Sequence, residues 1–276
     1  MVIGISLIAA LIYGAADFFG GVASKRTNTI VVVALSQAVG LAVVTFTLLF
    51  LPGTPTRGDL AYGLVCGVIG AGAVALLYRG LAIGTMGVVS PITAVFAAIL
   101  PVGFGVFFGG RPPPVALVGI GVALVAVVGI SAGTSDSSAP RNMRGVPAAL
   151  GAGIAFGLFF IVLAHTRSAA GLWPLASARV ASLVIFGLPA LRLRTALTRA
   201  VVPTIALSGA LDMAANILYV IAVHRGLLAI VAVIISLYPA STVALAALTL
   251  RERLAPVQWL GVACALVGIA LITFAR

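Results

Sequence analysis

Long apolar runs separated by short polar breaks fill the whole chain. Most runs hold about twenty residues, the length that an α-helix needs to cross a hydrocarbon core of about 30 Å at about 1.5 Å per residue. The pattern therefore predicts an all-α polytopic membrane protein. Breaks at glycine, proline and charged residues place ten transmembrane helices at residues 2–22, 30–51, 60–80, 85–108, 114–131, 145–165, 173–191, 201–222, 227–249 and 256–275.

The chain reads as two halves that resemble one another. The markedly polar stretch 133–144 separates five predicted helices from five more, so we predict repeats at residues 1–140 and 141–276. Six residues recur at an offset of 142 (257 − 115): Val115, Gly119, Ala123, Leu124, Val125 and Ile130 match Val257, Gly261, Ala265, Leu266, Val267 and Ile272. An odd number of helices in each half turns the second repeat upside down relative to the first. Inverted repeats are typical of transporters, with the site near the midplane and both termini on one side.

Composition agrees with a lipid bilayer as the main partner. Hydrophobic residues make up 62% of the chain and charged residues 8%, whereas a soluble domain is nearer half apolar and a quarter charged. The net charge of +11 does not indicate nucleic acid, because the 16 Lys and Arg residues fall singly or in pairs between apolar runs. We interpret them as loop anchors at the membrane surface.

Two motifs carry a resemblance to known families. The stretch 237–248, then Arg251-Glu252-Arg253-Leu254 and Gln258-Trp259-Leu260-Gly261, resembles the last two helices of EamA-type transporters of the drug/metabolite transporter superfamily. The first half carries a weaker version, Gly87-Val88-Val89-Ser90-Pro91 followed by Gly110-Arg111-Pro112. This resemblance covers essentially the whole chain. It implies a multi-pass protein of the bacterial plasma membrane, monomeric or homodimeric, that moves a small-molecule substrate, with export favoured and no cofactor.

The first helix adds a second resemblance. Asp17, Gly20 and Lys25 are similar in spacing to the first helix of small multidrug resistance proteins, in which a Glu carries the coupling proton. That likeness implies a proton-coupling role for Asp17. The register places Phe160 at the matching point of the sixth predicted helix, so the symmetric pair of acids is absent.

Three ionisable residues lie well inside apolar runs: Asp17, Arg179 and Asp212. A charge at the bilayer centre costs roughly 2.5–3.5 kcal/mol even on a lenient scale, so each needs a partner or a cavity. Asp17 lies roughly 12 Å and Asp212 roughly 15 Å from the same surface, which gives them a similar depth. We predict an ion pair between Arg179 and Asp212, with anion binding by Arg179 as the alternative.

Six further polar residues are candidates for substrate binding. Asn216 and Tyr219 follow Asp212 at i+4 and i+7 and share its helix face. Each also has a structural interpretation, since hydrogen-bonding and aromatic side chains hold membrane helices together. The remaining four candidates are Tyr13, Gln37, Tyr78 and Ser90.

These residues favour a secondary transporter that works by alternating access. A cavity with one or two acids and one Arg suits a small metabolite such as an amine, an amino acid or a cationic drug. The alternatives are a membrane-embedded enzyme and a channel. Five acids and two His in the whole chain give no paired carboxylates, metal-ligand cluster or nucleophile–base pair, which disfavours an enzyme.

Overall fold

The computed structural model describes residues 1–84, 86–108, 112–132, 143–193, 199–250 and 256–275. The boundary stretch 133–142 and the motifs at Gly110-Arg111 and Arg251-Glu252-Arg253 lie outside these residues. Eleven α-helices run through the described part: α1 Val2–Arg26, α2 Thr29–Leu48, α3 Arg57–Ile83, α4 Met86–Phe108, α5 Pro114–Ala132, α6 Val146–Ala164, α7 Trp173–Arg192, α8 Val202–Val223, α9 Leu228–Ile235, α10 Pro239–Leu250 and α11 Pro256–Phe274.

The described helices confirm an all-α polytopic membrane protein. Eight of them are long and apolar enough to cross a membrane, and two shorter apolar stretches, Pro114–Gly129 and Leu228–Thr242, occupy the fifth and ninth predicted spans. Large apolar side chains such as Leu11, Phe46 and Leu188 are exposed on the outer surface, where lipid replaces water as the solvent.

The ninth predicted helix, 227–249, is broken rather than continuous. Helix α9 ends at Ile235 and α10 begins at Pro239, with a turn at Ser236, Leu237 and Tyr238 between them. Proline causes the break, because it has no N–H to donate and disfavours helical geometry in the residue before it. Together α9 and α10 make one discontinuous span, a feature that transporters place beside their binding sites.

Helix packing follows the two-repeat organisation. In the second half α6 corresponds to α1, α8 to α3, and α9 with α10 to α4. The contact between α1 and α8 then corresponds to the contact between α6 and α3. In the same way, the contact between α4 and α6 corresponds to the contacts of α9 and α10 with α1. Exchanging the halves leaves two further contacts unchanged, α2 with α7 and α5 with α11. The pattern of helix contacts is therefore preserved when the two halves are exchanged.

The helix ends collect at two faces. At one face the loop 49–56 approaches the loop 165–172, and Gly226 approaches Val2 near the N-terminus. We call it the termini face. At the opposite face Gly84 approaches Gly145, which brings the ends of α3 and α6 together. A Cβ atom at Gly67 would overlap the Ala178 carbonyl oxygen, so glycine is what allows α3 to pack so closely on α7 halfway between these faces.

Candidate functional site

An ion pair lies where α2, α7 and α8 meet. Arg179 Nη2 donates to Asp212 Oδ2 at 2.6 Å, and Arg179 Nη1 donates to Gln37 Oε1. The side chains of Arg179 and Asp212 are 8% and 15% exposed. Two opposite charges away from water are stable only when they are paired and hydrogen-bonded. The predicted pairing of Arg179 with Asp212 is confirmed, with Gln37 as a third member.

The repeat explains how these three residues come together. Gln37 and Arg179 are 142 positions apart, the offset of the repeat, and they face one another from α2 and α7. The same offset places Gly70 opposite Asp212 (212 − 142). The second half thus contributes both charges, whereas the first half contributes a neutral amide and a residue without a side chain.

A small cavity of about 30 Å³ adjoins this ion pair. Its walls come from five helices and differ in character: small residues of α3, aromatic rings of α6 and polar groups of α1, α7 and α8. The Phe159 ring packs against the backbone of α3 at Gly70. The lining residues are Tyr13, Cys66, Gly67, Gly70, Ala71, Val74, Phe156, Phe159, Phe160, Leu175, Ala178, Arg179, Ser182, Asp212 and Asn216.

Three buried polar atoms of the cavity wall have no hydrogen-bond partner among the described residues. They are the Tyr13 hydroxyl, Arg179 Nε and Asn216 Oδ1. The amide nitrogen of Asn216 does have a partner, because Nδ2 donates to the Asp212 backbone oxygen at 2.8 Å. A buried polar atom without a partner costs about 1–3 kcal/mol, and three more such atoms lie away from the cavity, on Ser24, Thr27 and Ser90.

Asp17 lies beside the cavity and does not line it. It follows Tyr13 by one helical turn, is partly exposed, and makes no ion pair or hydrogen bond within the described part of the chain. Its carboxylate is close enough to interact electrostatically with Tyr13, Tyr78, Tyr238 and Asp212. An acid without a counter-ion at this depth is available to bind a proton.

Three other predicted site residues form contacts between helices and lie outside the cavity wall. The Tyr78 hydroxyl lies 2.8 Å from Ser208 Oγ, which donates to the Ala16 carbonyl oxygen. The Tyr219 hydroxyl donates to the Phe160 carbonyl oxygen at 2.6 Å. Ser90 accepts a bond of 3.4 Å from the Tyr238 hydroxyl through its backbone oxygen. The hydroxyls of Tyr78 and Tyr219 thus bond groups on other helices, whereas the Ser90 hydroxyl has no hydrogen-bond partner among the described residues.

The sequence-based candidates omit the aromatic and small-residue walls. Phe156, Phe159 and Phe160 follow one another at i, i+3 and i+4, a spacing that places them on one helix face. That spacing could have identified the aromatic wall from the sequence. Tyr238 could have been identified by its position directly before Pro239 in the ninth predicted span. No group of three His, Cys, Asp or Glu residues in the described ranges could hold a metal ion.

A discontinuous span and two halves with matching helix contacts are features that many transporters share. The model of the EamA-like transporter family matches residues 1–132 and 143–274, so the chain belongs to that family and is a membrane transporter of the drug/metabolite type.

Two further comparisons bear on the fold. A solved crystal structure of another protein, 16% identical, has a similar fold with a TM-score of 0.76 over 99% of this chain and 97% of that one. No curated protein matches the chain in sequence.

Proposed function

We propose that the chain is a secondary transporter that exports a small organic solute across the cell membrane by alternating access, with the cavity beside Arg179 and Asp212 as the solute site. The observation that carries this proposal is the set of three unpaired polar atoms around a cavity between the two repeats. Alternating access requires the repeats to rock about that cavity and to close it at each membrane face in turn.

Contacts at the termini face would provide one such closure. Arg167 donates to the Asp59 carboxylate from its backbone N at 3.1 Å, from Nε at 3.0 Å and from Nη2 at 2.8 Å. Beside them, Thr54 N donates to the Ala169 carbonyl oxygen at 2.8 Å. We call these contacts the termini-face latch. It joins the start of α3 in the first repeat to the loop after α6 in the second, so it must open when the halves separate at this face.

A histidine extends the closure to α8. His224 Nε2 lies 2.8 Å from the Thr166 carbonyl oxygen, next to Arg167. Burial lowers the pKa of the His224 imidazole, so the ring is uncharged at neutral pH and donates from Nε2. The ends of α3, α6 and α8 are thereby held together at the termini face.

The opposite face has no equivalent ion pair at the matching positions. The repeat offset relates Arg167 to Lys25 (167 − 142) and Asp59 to Val201 (59 + 142). Valine cannot accept a hydrogen bond from a cation. The termini-face latch therefore has no ion pair at the matching positions of the opposite face, and it favours the conformation that is closed at the termini face.

Loss of the latch should open the cavity toward the termini face. The native thiol of Cys66 lines the cavity and reports on access to it, once Cys264 is replaced by Ser. In that background we expect Asp59→Asn and Arg167→Gln each to raise the rate of Cys66 labelling by a membrane-impermeant maleimide at least several-fold, because the charge-assisted bonds across the latch are lost.

Arg57→Gln is the matched control, since Arg57 is an exposed cation on the first turn of the same helix. It should leave the labelling rate near that of the native chain. Equal rates for Asp59→Asn and Arg57→Gln would show that the ion pair does not close the cavity.

Solute uptake into proteoliposomes tests the proposed function itself. A panel of radiolabelled amines, amino acids, amides and cationic dyes should reveal saturable, gradient-driven uptake, which Ala71→Leu should abolish by filling the cavity. Ala61→Leu makes the same change on the exposed side of α3 and should transport normally. Unsaturable flux would indicate a channel and chemical conversion of a solute an enzyme.

A further inference from the structure

A wide cleft separates α2 from α7 in the half of the protein away from the termini face. Its volume is about 590 Å³, against about 30 Å³ for the cavity at the ion pair. Its walls run from Val31 to Leu41 on α2 and from Val180 to Leu193 on α7. Because α2 begins and α7 ends at the opposite face, the cleft extends inward from that face. We call it the α2–α7 cleft.

The depth of the α2–α7 cleft matches one leaflet of a bilayer. Ten residues separate Val31 from Leu41 (41 − 31), which is about 15 Å along a helix, or half of a hydrocarbon core of about 30 Å. At the inner end the two helices are in contact, since a Cβ atom at Gly40 would lie 3.3 Å from Arg179 Nε. The cleft therefore ends near the level of the ion pair and occupies a single leaflet.

The walls of the α2–α7 cleft are apolar and face the lipid. Every lining residue is aliphatic or glycine. Val184 and Leu188 are 56% and 60% exposed, so the cleft opens to the outside of the helix bundle. Water would find no hydrogen-bond partner on such walls, whereas hydrocarbon needs none. The volume lies within the range of about 300–1,000 Å³ that small-molecule sites have, so the cleft is large enough for part of a lipid molecule.

A cation lies at the mouth of the α2–α7 cleft. Arg192, in the last turn of α7, lines a second hollow that shares Val184, Leu188 and Leu193 with the cleft. The Arg192 side chain is exposed and makes no ion pair with any residue that the structure describes. A lipid headgroup at this position would meet a guanidinium that has no other partner.

The opposite face as a whole is positively charged. Among the residues that the structure describes, the helix ends at this face carry Lys and Arg residues and no acid. An anionic headgroup is attracted to such a face, whereas a zwitterionic headgroup adds a cation that the face repels. The basic residues are Lys25, Arg26, Arg79, Arg144, Arg192 and Arg199.

We propose that the α2–α7 cleft binds an anionic phospholipid from the leaflet at the opposite face. An acyl chain lies between α2 and α7, and the phosphate accepts charge-assisted hydrogen bonds from the Arg192 guanidinium. Because α2 belongs to the first repeat and α7 to the second, this lipid contacts both repeats at once. The proposal concerns the outer surface of the bundle and does not depend on where the solute binds.

Tryptophan fluorescence locates the acyl chain. In a background with Trp173 and Trp259 replaced by Phe, Val184→Trp places the only indole in the α2–α7 cleft. Phosphatidylglycerol with brominated acyl chains, diluted into phosphatidylcholine vesicles, should quench this variant several-fold more than the control Ile154→Trp. Brominated phosphatidylcholine should quench both variants to a similar extent.

Ile154→Trp is matched to Val184→Trp in depth and exposure. Ile154 lies eight residues after the start of α6 (154 − 146), and Val184 lies eight residues before the end of α7 (192 − 184), with both helix ends at the opposite face. Ile154 is 45% exposed and lies outside the cleft. Equal quenching of the two variants by brominated phosphatidylglycerol would overturn the proposal. Quenching of Val184→Trp that is as strong with brominated phosphatidylcholine would overturn the preference for an anionic lipid.

A second substitution tests the headgroup contact. In the Val184→Trp variant, Arg192→Gln should remove most of the excess quenching by brominated phosphatidylglycerol, because the phosphate loses its cation. Arg79→Gln is the control, since Arg79 is an exposed cation at the same face and its neighbour Gly80 packs beside Gly145 at the start of α6. Excess quenching that survives Arg192→Gln, or that Arg79→Gln removes equally, would contradict the pairing with Arg192.

The native chain provides a test without any substitution. Added phosphatidylglycerol should raise the Tm of the purified protein in a saturable manner, and phosphatidylcholine with the same acyl chains should raise it less. Equal shifts with the two lipids would contradict the proposal. A native dimer in which neither brominated lipid quenches Val184→Trp would show that a second copy covers the cleft, and it would overturn the proposal.

Discussion

Replacing Arg179 with methionine is expected to destabilise the folded protein by about 3–5 kcal/mol, because the Asp212 carboxylate would be left buried without its partner. Asp212→Leu should cost a similar amount by leaving the guanidinium unpaired. The double replacement should be milder than the sum of the two, since apolar groups of similar size need no compensation. Reversible unfolding of the purified single and double variants, arranged as a double-mutant cycle, measures the coupling.

Gln37→Leu is the control for this cycle. It removes the third member of the cluster and leaves the ion pair of 2.6 Å in place, so it should cost only about 1–2 kcal/mol. A double variant that is as unstable as the sum of the single variants would contradict energetic coupling between Arg179 and Asp212. In that case the two residues would contribute independently to the free energy of unfolding.

The number and position of the spans could be predicted because lipid limits the choice of structure. Backbone groups in hydrocarbon must bond within their own helix, so each apolar run of sufficient length becomes one helix. The broken ninth span is the exception. Apolar length is the same for a continuous and a broken span. Pro239 favours a break in the ninth span, but proline alone does not decide the matter, since Pro101 and Pro189 lie within continuous helices.

The ion pair could be predicted for a related reason. A charged side chain inside a membrane has few stable partners, and Arg179 and Asp212 belong to the same repeat at compatible depths. The cavity could not be predicted in the same way. Its shape depends on which helix faces meet, and equivalent residue types have different neighbours: Tyr13 faces the cavity, whereas Tyr78 and Tyr219 bond other helices.

The repeat offset connects sequence and site more directly than residue type does. It identifies Gln37 as the counterpart of Arg179, and the two side chains are in contact. It also shows where the halves differ, with Gly70 matching Asp212. The second half therefore supplies both charges of the central ion pair, and the Phe159 ring packs at Gly70 in the first.

Asp17 fits this asymmetric arrangement as a group separate from the solute site. It lies one turn from Tyr13 on α1, and the offset of 142 takes it to Phe159 (17 + 142), which lines the cavity beside Phe160. If Asp17 couples transport to protons, its protonation would act by changing its interaction with the neighbouring Tyr13 hydroxyl and Asp212.

Asp17→Asn is therefore expected to abolish uptake driven by a pH gradient, while leaving solute exchange without a gradient largely intact. A carboxyl group can bind and release a proton, whereas an amide of nearly the same shape has no proton to exchange. The measurement is uptake into proteoliposomes with and without a pH gradient, using the solute that the uptake panel identifies. Asp17→Glu retains a carboxyl group and should keep part of the gradient response. Gradient-driven uptake that is unchanged in Asp17→Asn would remove Asp17 from the coupling mechanism and transfer that role to Asp212.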